Sequence, residues 1–314
     1  MTVSLLATSH SPLLPYATLP DDVQHELEGT FEVARTFVRE FDPDLIVVLA
    51  PDHYNGFFYN VMPPFCLGYG ATAIGDFSTP AGSLDVPAVL VAQLAEAVLA
   101  DGVDLAVSYD MQIDHGAVQP LAMLYDDIRA KPVIPLFINC VAPPFAPISR
   151  IRRLGEAVGR HLDTLDAKVL ILASGGLSHD PPMPAIATAT PEQRTMLLGH
   201  RRPLTPEARA ARQQRVIDAA RAFAAGTASI HDLAPVWDRK FLAALASGEL
   251  DQLDSWTTEE ITRIAGNSAH EIRTWIAGYA ALSAIGPYTV TNSYYRPIKE
   301  LIAGFALTTV TVRR

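Results

Sequence analysis

Cysteine is nearly absent from this chain. Cys66 and Cys140 are the two in 314 residues, too few for a disulfide framework and placed in contexts too different for a thiolate zinc site. Both read as reduced, small residues of the core. Positive charge is short as well: 24 Lys and Arg stand against 34 Asp and Glu, a net charge of -10. That balance argues against nucleic acid and anionic membrane surfaces as partners, because either would require a basic face. No uninterrupted apolar run approaches the about 18 residues of a membrane span. The opening MTVSLLATSHSPLLPY lacks the cationic start and continuous apolar stretch of a secretory signal, so a cytoplasmic, reducing compartment is the expected location. Also missing are a P-loop, a Gly-x-Gly-x-x-Gly turn after a strand and a Gly-x-Ser-x-Gly elbow. The GGLS sequence around Ser178 does not have the spacing of the last.

What the chain does have is core, with 49% hydrophobic residues. Through the first 180 residues, β-prone runs alternate with amphipathic helical runs, the order expected of an α/β fold. Strands are expected at 3–8, 44–50, 103–109, 132–138 and 168–173. Helices are expected from about Asp21 to Glu40, closing before Pro43, and over 86–100 and 147–164. This arrangement predicts a central, largely parallel or mixed sheet flanked by helices on both faces. Pro181, Pro182 and Pro184 then open an irregular link over 181–206 that is long enough to be functional. Beyond it lie an Arg-rich helical run at 206–225 and additional C-terminal helices to about 285. With no repeat and no low-complexity linker, residues 1–314 read as one domain. The stretch after the second strand, PDHYNGFFYNVMPPFCLGYGATAIGDF, is rich in aromatics, Gly and Pro. It suits either a hairpin lining an aromatic-substrate pocket or a surface excursion packed by its own rings.

Four histidines share a context. SLLATSH ends at His10, LIVVLAPDH at His53, DLAVSYDMQIDH at His115 and VLILASGGLSH at His179, each after a short β-prone run. Ligands of open α/β sheets sit outside the carboxyl ends of the strands, so four imidazoles there can converge on one pocket. Imidazole is both a transition-metal ligand and the side chain best suited to proton transfer near neutral pH. His10 and His53 follow the innermost-looking strands and are the stronger ligand candidates. His179 follows two glycines expected to bend the backbone sharply, and His115 precedes Gly116 and a helical run, so these two suit general acid and base roles. His25, His161, His200 and His231 read as solvated.

A metal with open positions would add a carboxylate to two histidines, and the chain offers too many to choose by counting. Asp52, Asp114 and Asp180 each flank a candidate histidine, as orienting acceptors or helix caps. Glu271 opens an apolar helix, and Ser268-x-x-Glu271 has the form of a capping box, which accounts for it without a metal. His270 beside it projects roughly 100° away on a helix.

Taken together, SHSP at His10, APDHYNGFF at His53, MQIDHG at His115, SGGLSH at His179 and HEIRTW at Glu271 resemble the class III extradiol catechol dioxygenases, the superfamily of the protocatechuate 4,5-dioxygenase β subunit. The likeness covers essentially the whole chain. It implies a mononuclear Fe(2+) site with His10, His53 and Glu271 as ligands, His115 as proton donor and His179 as proton acceptor. It further implies a small-molecule catechol and O2 as reactants, 3-(2,3-dihydroxyphenyl)propanoate or 2,3-dihydroxycinnamate as the catechol, and a homo-oligomer such as a homotetramer. Arg273 and Arg296 are candidates for the acid tail by charge and position, with a helix-face arginine or a surface ion pair as the plainer reading. Two rival functions remain open at this point: a zinc-dependent hydrolase or lyase using the same His/Glu set, and a non-catalytic interaction protein on this fold.

Overall fold

The computed structural model describes residues 2–200 and 204–313. In chain order the strands are β1 Thr2–Thr8, β2 Leu45–Ala50, β3 Phe65–Gly68, β4 Ala71–Ile74, β5 Ala81–Ser83, β6 Ala106–Ser108, β7 Met111–Ile113, β8 Val133–Ile138, β9 Lys168–Ser174, β10 Tyr288–Ile298 and β11 Ala303–Val312. The helices are α1 Asp21–Phe41, α2 Ala88–Ala100, α3 His115–Leu124, α4 Ile148–Leu162, α5 Pro191–Leu197, α6 Pro206–Ala224, α7 Pro235–Ser247, α8 Thr258–Ala265 and α9 Ile272–Ile285. None of the described helices is long and apolar enough to cross a membrane.

The main sheet runs in the order β10-β11-β1-β9-β2-β8-β3-β6. Its centre is parallel, β1 with β9, β9 with β2 and β2 with β8, while β11 and β3 join antiparallel at the two sides. A mixed α/β sheet is therefore what the alternation of runs produces. Strands buried on both faces have no polar side to show, which is why β2 reads LIVVLA with every residue buried. Leu5, Val47, Leu49 and Ile171 pack with α2, α4 and α9 on one face. Leu6, Ile46, Val48 and Leu172 pack with α1 and α3 on the other. A second, small sheet, β5-β4-β7, stands apart.

Two helices are pressed unusually close. A Cβ at Gly155 or Gly159 of α4 would run into the carbonyl oxygens of Ala277 and Ala281 on α9. Glycine four residues apart is what lets α4 lie against α9 backbone to backbone, and α9 is the helix that starts beside Glu271.

The chain after 285, for which no strand was expected, forms the antiparallel pair β10 and β11. Since β11 runs against β1 with Leu307 opposite Thr8, the turn before Ala303 falls at the carboxyl edge of the parallel strands.

Candidate active site

β1, β9 and β2 lie side by side and parallel, so their ends open at one edge, and His10, His179 and His53 leave from it. His115 arrives by another route than expected: β6 ends at Ser108, and His115 follows β7 of the small sheet as the first residue of α3. Glu271 comes from a short 3-10 turn, Ala269–Glu271, just before α9. All five side chains line one cavity.

Each ring is held through Nδ1. The Ser174 hydroxyl donates to the Gly116 carbonyl at 2.5 Å, which leaves its oxygen to accept from His10 Nδ1 at 3.0 Å. His53 Nδ1 lies 3.1 Å from Asp114 Oδ2, which also accepts from the His53 amide at 2.8 Å. His179 Nδ1 faces the Leu177 carbonyl at 2.9 Å. A neutral imidazole that donates from Nδ1 carries its lone pair on Nε2, and these Nε2 atoms converge on Glu271. His53 and His179 stand 3.1 and 3.3 Å from Oε1, and His10 stands 3.6 Å from Oε2. Glu271 Oε2 also accepts from the Gly176 amide at 2.7 Å. His115 differs in its partner: Asp76 accepts from its amide at 2.9 Å and lies 2.5 Å from its Nδ1.

Nitrogen lone pairs aimed at a buried carboxylate repel it unless positive charge lies between them, and the electrostatics show that demand. Burial alone would raise the Glu271 carboxyl, yet the facing His179, with the contacts from His179 and His53, holds it well below the ordinary carboxylate range. Burial works against charge on His53 and His179, but Asp114 and Glu271 push the first well up, and Glu271 with the Leu177 carbonyl raises the second. Burial takes His10 down to about 3, keeping it neutral. The ligand nitrogens of His10, His53 and His115 fall within 4.8 Å of one another, as do ligand atoms of Asp76, Asp114 and His115. The donor set suits a mononuclear metal site. Asp114 and Asp76 are already committed to backbone amides and imidazoles, whereas Glu271 is the carboxylate on which three Nε2 atoms converge.

The family model described as the catalytic LigB subunit of aromatic ring-opening dioxygenase matches residues 4–306. The chain belongs to this family. It is thus a class III extradiol dioxygenase, an enzyme that opens an aromatic ring with O2, and the hydrolase and non-catalytic readings give way. Among its relatives, 2,3-dihydroxyphenylpropionate/2,3-dihydroxicinnamic acid 1,2-dioxygenase of Rhodococcus globerulus is 53% identical over 313 residues, covering 100% of this chain and 99% of the relative. The protein of the same description from Rhodococcus rhodochrous is 54% identical, covering 98% of each. The crystal structure of uncharacterized protein JW3007 from Escherichia coli K12 shares the fold, with a TM-score of 0.51 at 14% identity and 99% of each chain covered.

Several expectations about this dioxygenase's site are corrected. Ser268 makes no side-chain cap, and the Glu271 carboxylate turns into the cavity instead of back to the helix start. Gly175 and Gly176 are not bending residues; neither has a left-handed backbone. They are needed for close approach, since a Cβ on Gly175 would meet the Glu271 carbonyl at 2.6 Å and one on Gly176 the His179 ring at 2.8 Å. Arg273 is buried beside His270, over the Phe145 ring and bonded to the Ala146 carbonyl, and does not line the cavity. Arg296 pairs with Asp22 and Glu26 at the surface. Of the aromatic stretch, Phe77 reaches the cavity, while Tyr54 and Phe58 pack in a satellite cluster with Leu197 and Phe57 stacks on Phe137.

Asp76, Ser174 and Arg212 were not singled out from sequence. Asp76 lies 39 residues before His115, and no local pattern marks such a pair. Arg212 sits in an Arg-rich helix where nothing distinguishes it from its exposed neighbours.

Proposed function

We propose that this enzyme holds Fe(II) through His10, His53 and Glu271 and opens the ring of 3-(2,3-dihydroxyphenyl)propanoate, and of 2,3-dihydroxycinnamate, with O2. The products are 2-hydroxy-6-oxonona-2,4-dienedioate and the corresponding trienedioate, as part of phenylpropanoid catabolism. The observation that carries the metal assignment is the convergence of three Nε2 atoms on the Glu271 carboxylate at 3.1–3.6 Å. The relatives named for these substrates, similar along the whole chain, supply the substrate.

Iron held by His10, His53 and Glu271 would supply a template for the catechol and O2 and a path for electron density between them. The protein's part is proton control and exclusion of water. His179, with Nδ1 committed to Leu177, presents Nε2 as the base that takes a catechol hydroxyl proton. His115, whose Nδ1 faces Asp76, is placed to give a proton to an oxygen of O2 as the O–O bond breaks, an atom that ends in the product. Leu13, Phe77, Val216 and Ile302 wall the cavity and keep solvent from competing for these protons. The chain acts as one domain, in the cytoplasm, as a homo-oligomer.

Anaerobic reconstitution with Fe(II), followed by O2 uptake in the presence of 3-(2,3-dihydroxyphenyl)propanoate, tests the reading. One O2 consumed per yellow product formed supports it. Absence of O2 uptake with every catechol tried, or full activity with zinc in place of iron, would overturn it.

A further inference from the structure

We infer that Arg212 binds the carboxylate of the substrate's side chain and so selects catechols that carry an acid. The inference rests on the substrate reading above and deepens it. Arg212 lies on α6; Arg209, one turn earlier, donates to the Ile74 carbonyl at 2.8 Å. Arg212 and Val216, one turn apart on α6, both line the cavity. Arg212 Nη2 donates to the His53 carbonyl, which fixes the plane of the guanidinium. Its Nη1 is buried and has no hydrogen-bond partner among the described residues.

Two other arginines are satisfied by paired carboxylates. Arg152 reaches both Glu156 and Asp254, and Arg296 both Asp22 and Glu26. Arg212 has no carboxylate within ion-pairing distance among the described residues. Asp52, Asp76 and Asp114 are near enough for their charge to be felt, but their oxygens accept from the amides of Asn55, Gly56, Phe57, His115, His53 and Gly116. Among the described residues that line the cavity, Arg212 is the one Lys or Arg. A buried guanidinium with a donor left over is costly alone and is relieved by a carboxylate brought in by a ligand. A site built with such a donor rejects an analogue that leaves it unpaired far more strongly than an apolar wall can.

The test compares the iron-loaded wild type with Arg212→Gln and Arg212→Lys on 3-(2,3-dihydroxyphenyl)propanoate and on 3-ethylcatechol, which has the ring and an alkyl stub but no acid. Loss of one charge-assisted bond predicts that Arg212→Gln raises KM for the acid about 10–100-fold more than KM for 3-ethylcatechol, with partial rescue of that difference by Arg212→Lys. If both substrates suffer alike, Arg212 only props His53 and the inference fails. If neither changes, it fails also. A second readout needs no variant and no turnover: anaerobic calorimetry of the wild type with 3-phenylpropanoate and with 3-phenylpropanamide. Tighter binding of the acid supports the inference, and equal binding overturns it. A wild type that prefers the acid in this titration yet opens no catechol would sink the ring-cleavage reading and leave the role of Arg212 standing.

Discussion

At the residue scale, the four histidines are told apart by what holds the nitrogen that faces away from the cavity. At His10 a serine hydroxyl, and at His179 a backbone carbonyl, faces Nδ1, so that each ring presents Nε2 to the cavity. A carboxylate, Asp76, faces Nδ1 of His115 and accepts from its amide as well, an arrangement that suits a proton donor. His115→Ala and His179→Ala are therefore expected to lower ring opening by about 10²–10⁴-fold while iron content, measured by metal analysis, stays at the wild-type level. Asp76→Asn keeps the bond from the His115 amide but removes the charge, and a smaller loss of kcat, again without loss of iron, is expected. Loss of iron in His115→Ala would place that residue among the ligands, where its nearness to His10 and His53 also allows it. Gly176→Ala would push a methyl into the His179 ring, so it should lower kcat in the same way as a direct change to His179.

At the scale of elements, the site depends on how α9 is set against α4. Because Gly155 and Gly159 meet the Ala277 and Ala281 carbonyls directly, a side chain there cannot be absorbed by rotamer adjustment and must separate the helices. Gly159→Val should destabilise the protein by about 1–3 kcal/mol or more, read as a shift in urea midpoint, and should loosen the iron site because Glu271 immediately precedes α9. The helices of the sheet were legible in sequence: Asp21–Phe41 and Ile148–Leu162 lie within a residue or two of their expected spans, since a single apolar stripe opposed by charge is a strong periodic signal. So were the fully apolar central strands. β10 and β11 were not, because β10 alternates poorly between buried and exposed positions and acquires its place only by pairing with β11. The four histidines were legible as candidate ligands and proton carriers from their contexts, but the expectation that Glu271 is a ligand came from family likeness alone; Asp76 and Arg212 were illegible because their significance is a contact made across the fold.

For the whole molecule, the centre is a junction between distant parts of the chain. His10 follows the first strand, and Glu271 and His53 are 218 residues apart in sequence yet 3.1 Å apart in space. An unfolded chain cannot present these groups together, so metal binding adds to folding stability by mass action, about 2.7 kcal/mol at a free metal concentration one hundred times Kd. Thermal unfolding of the protein with Fe(II) under nitrogen, or with a redox-inert divalent ion, should show a midpoint several degrees above that of the chelator-treated protein. His10→Ala, His53→Ala and Glu271→Gln are expected to abolish that increment, whereas His115→Ala and His179→Ala retain it. Glu271→Gln is the most informative of these, since the amide can still accept from the Gly176 amide and leaves the helix start intact. If the increment survived Glu271→Gln and vanished in His115→Ala, the metal would sit among His10, His53 and His115, and Glu271 would be left as the acceptor that orients their rings.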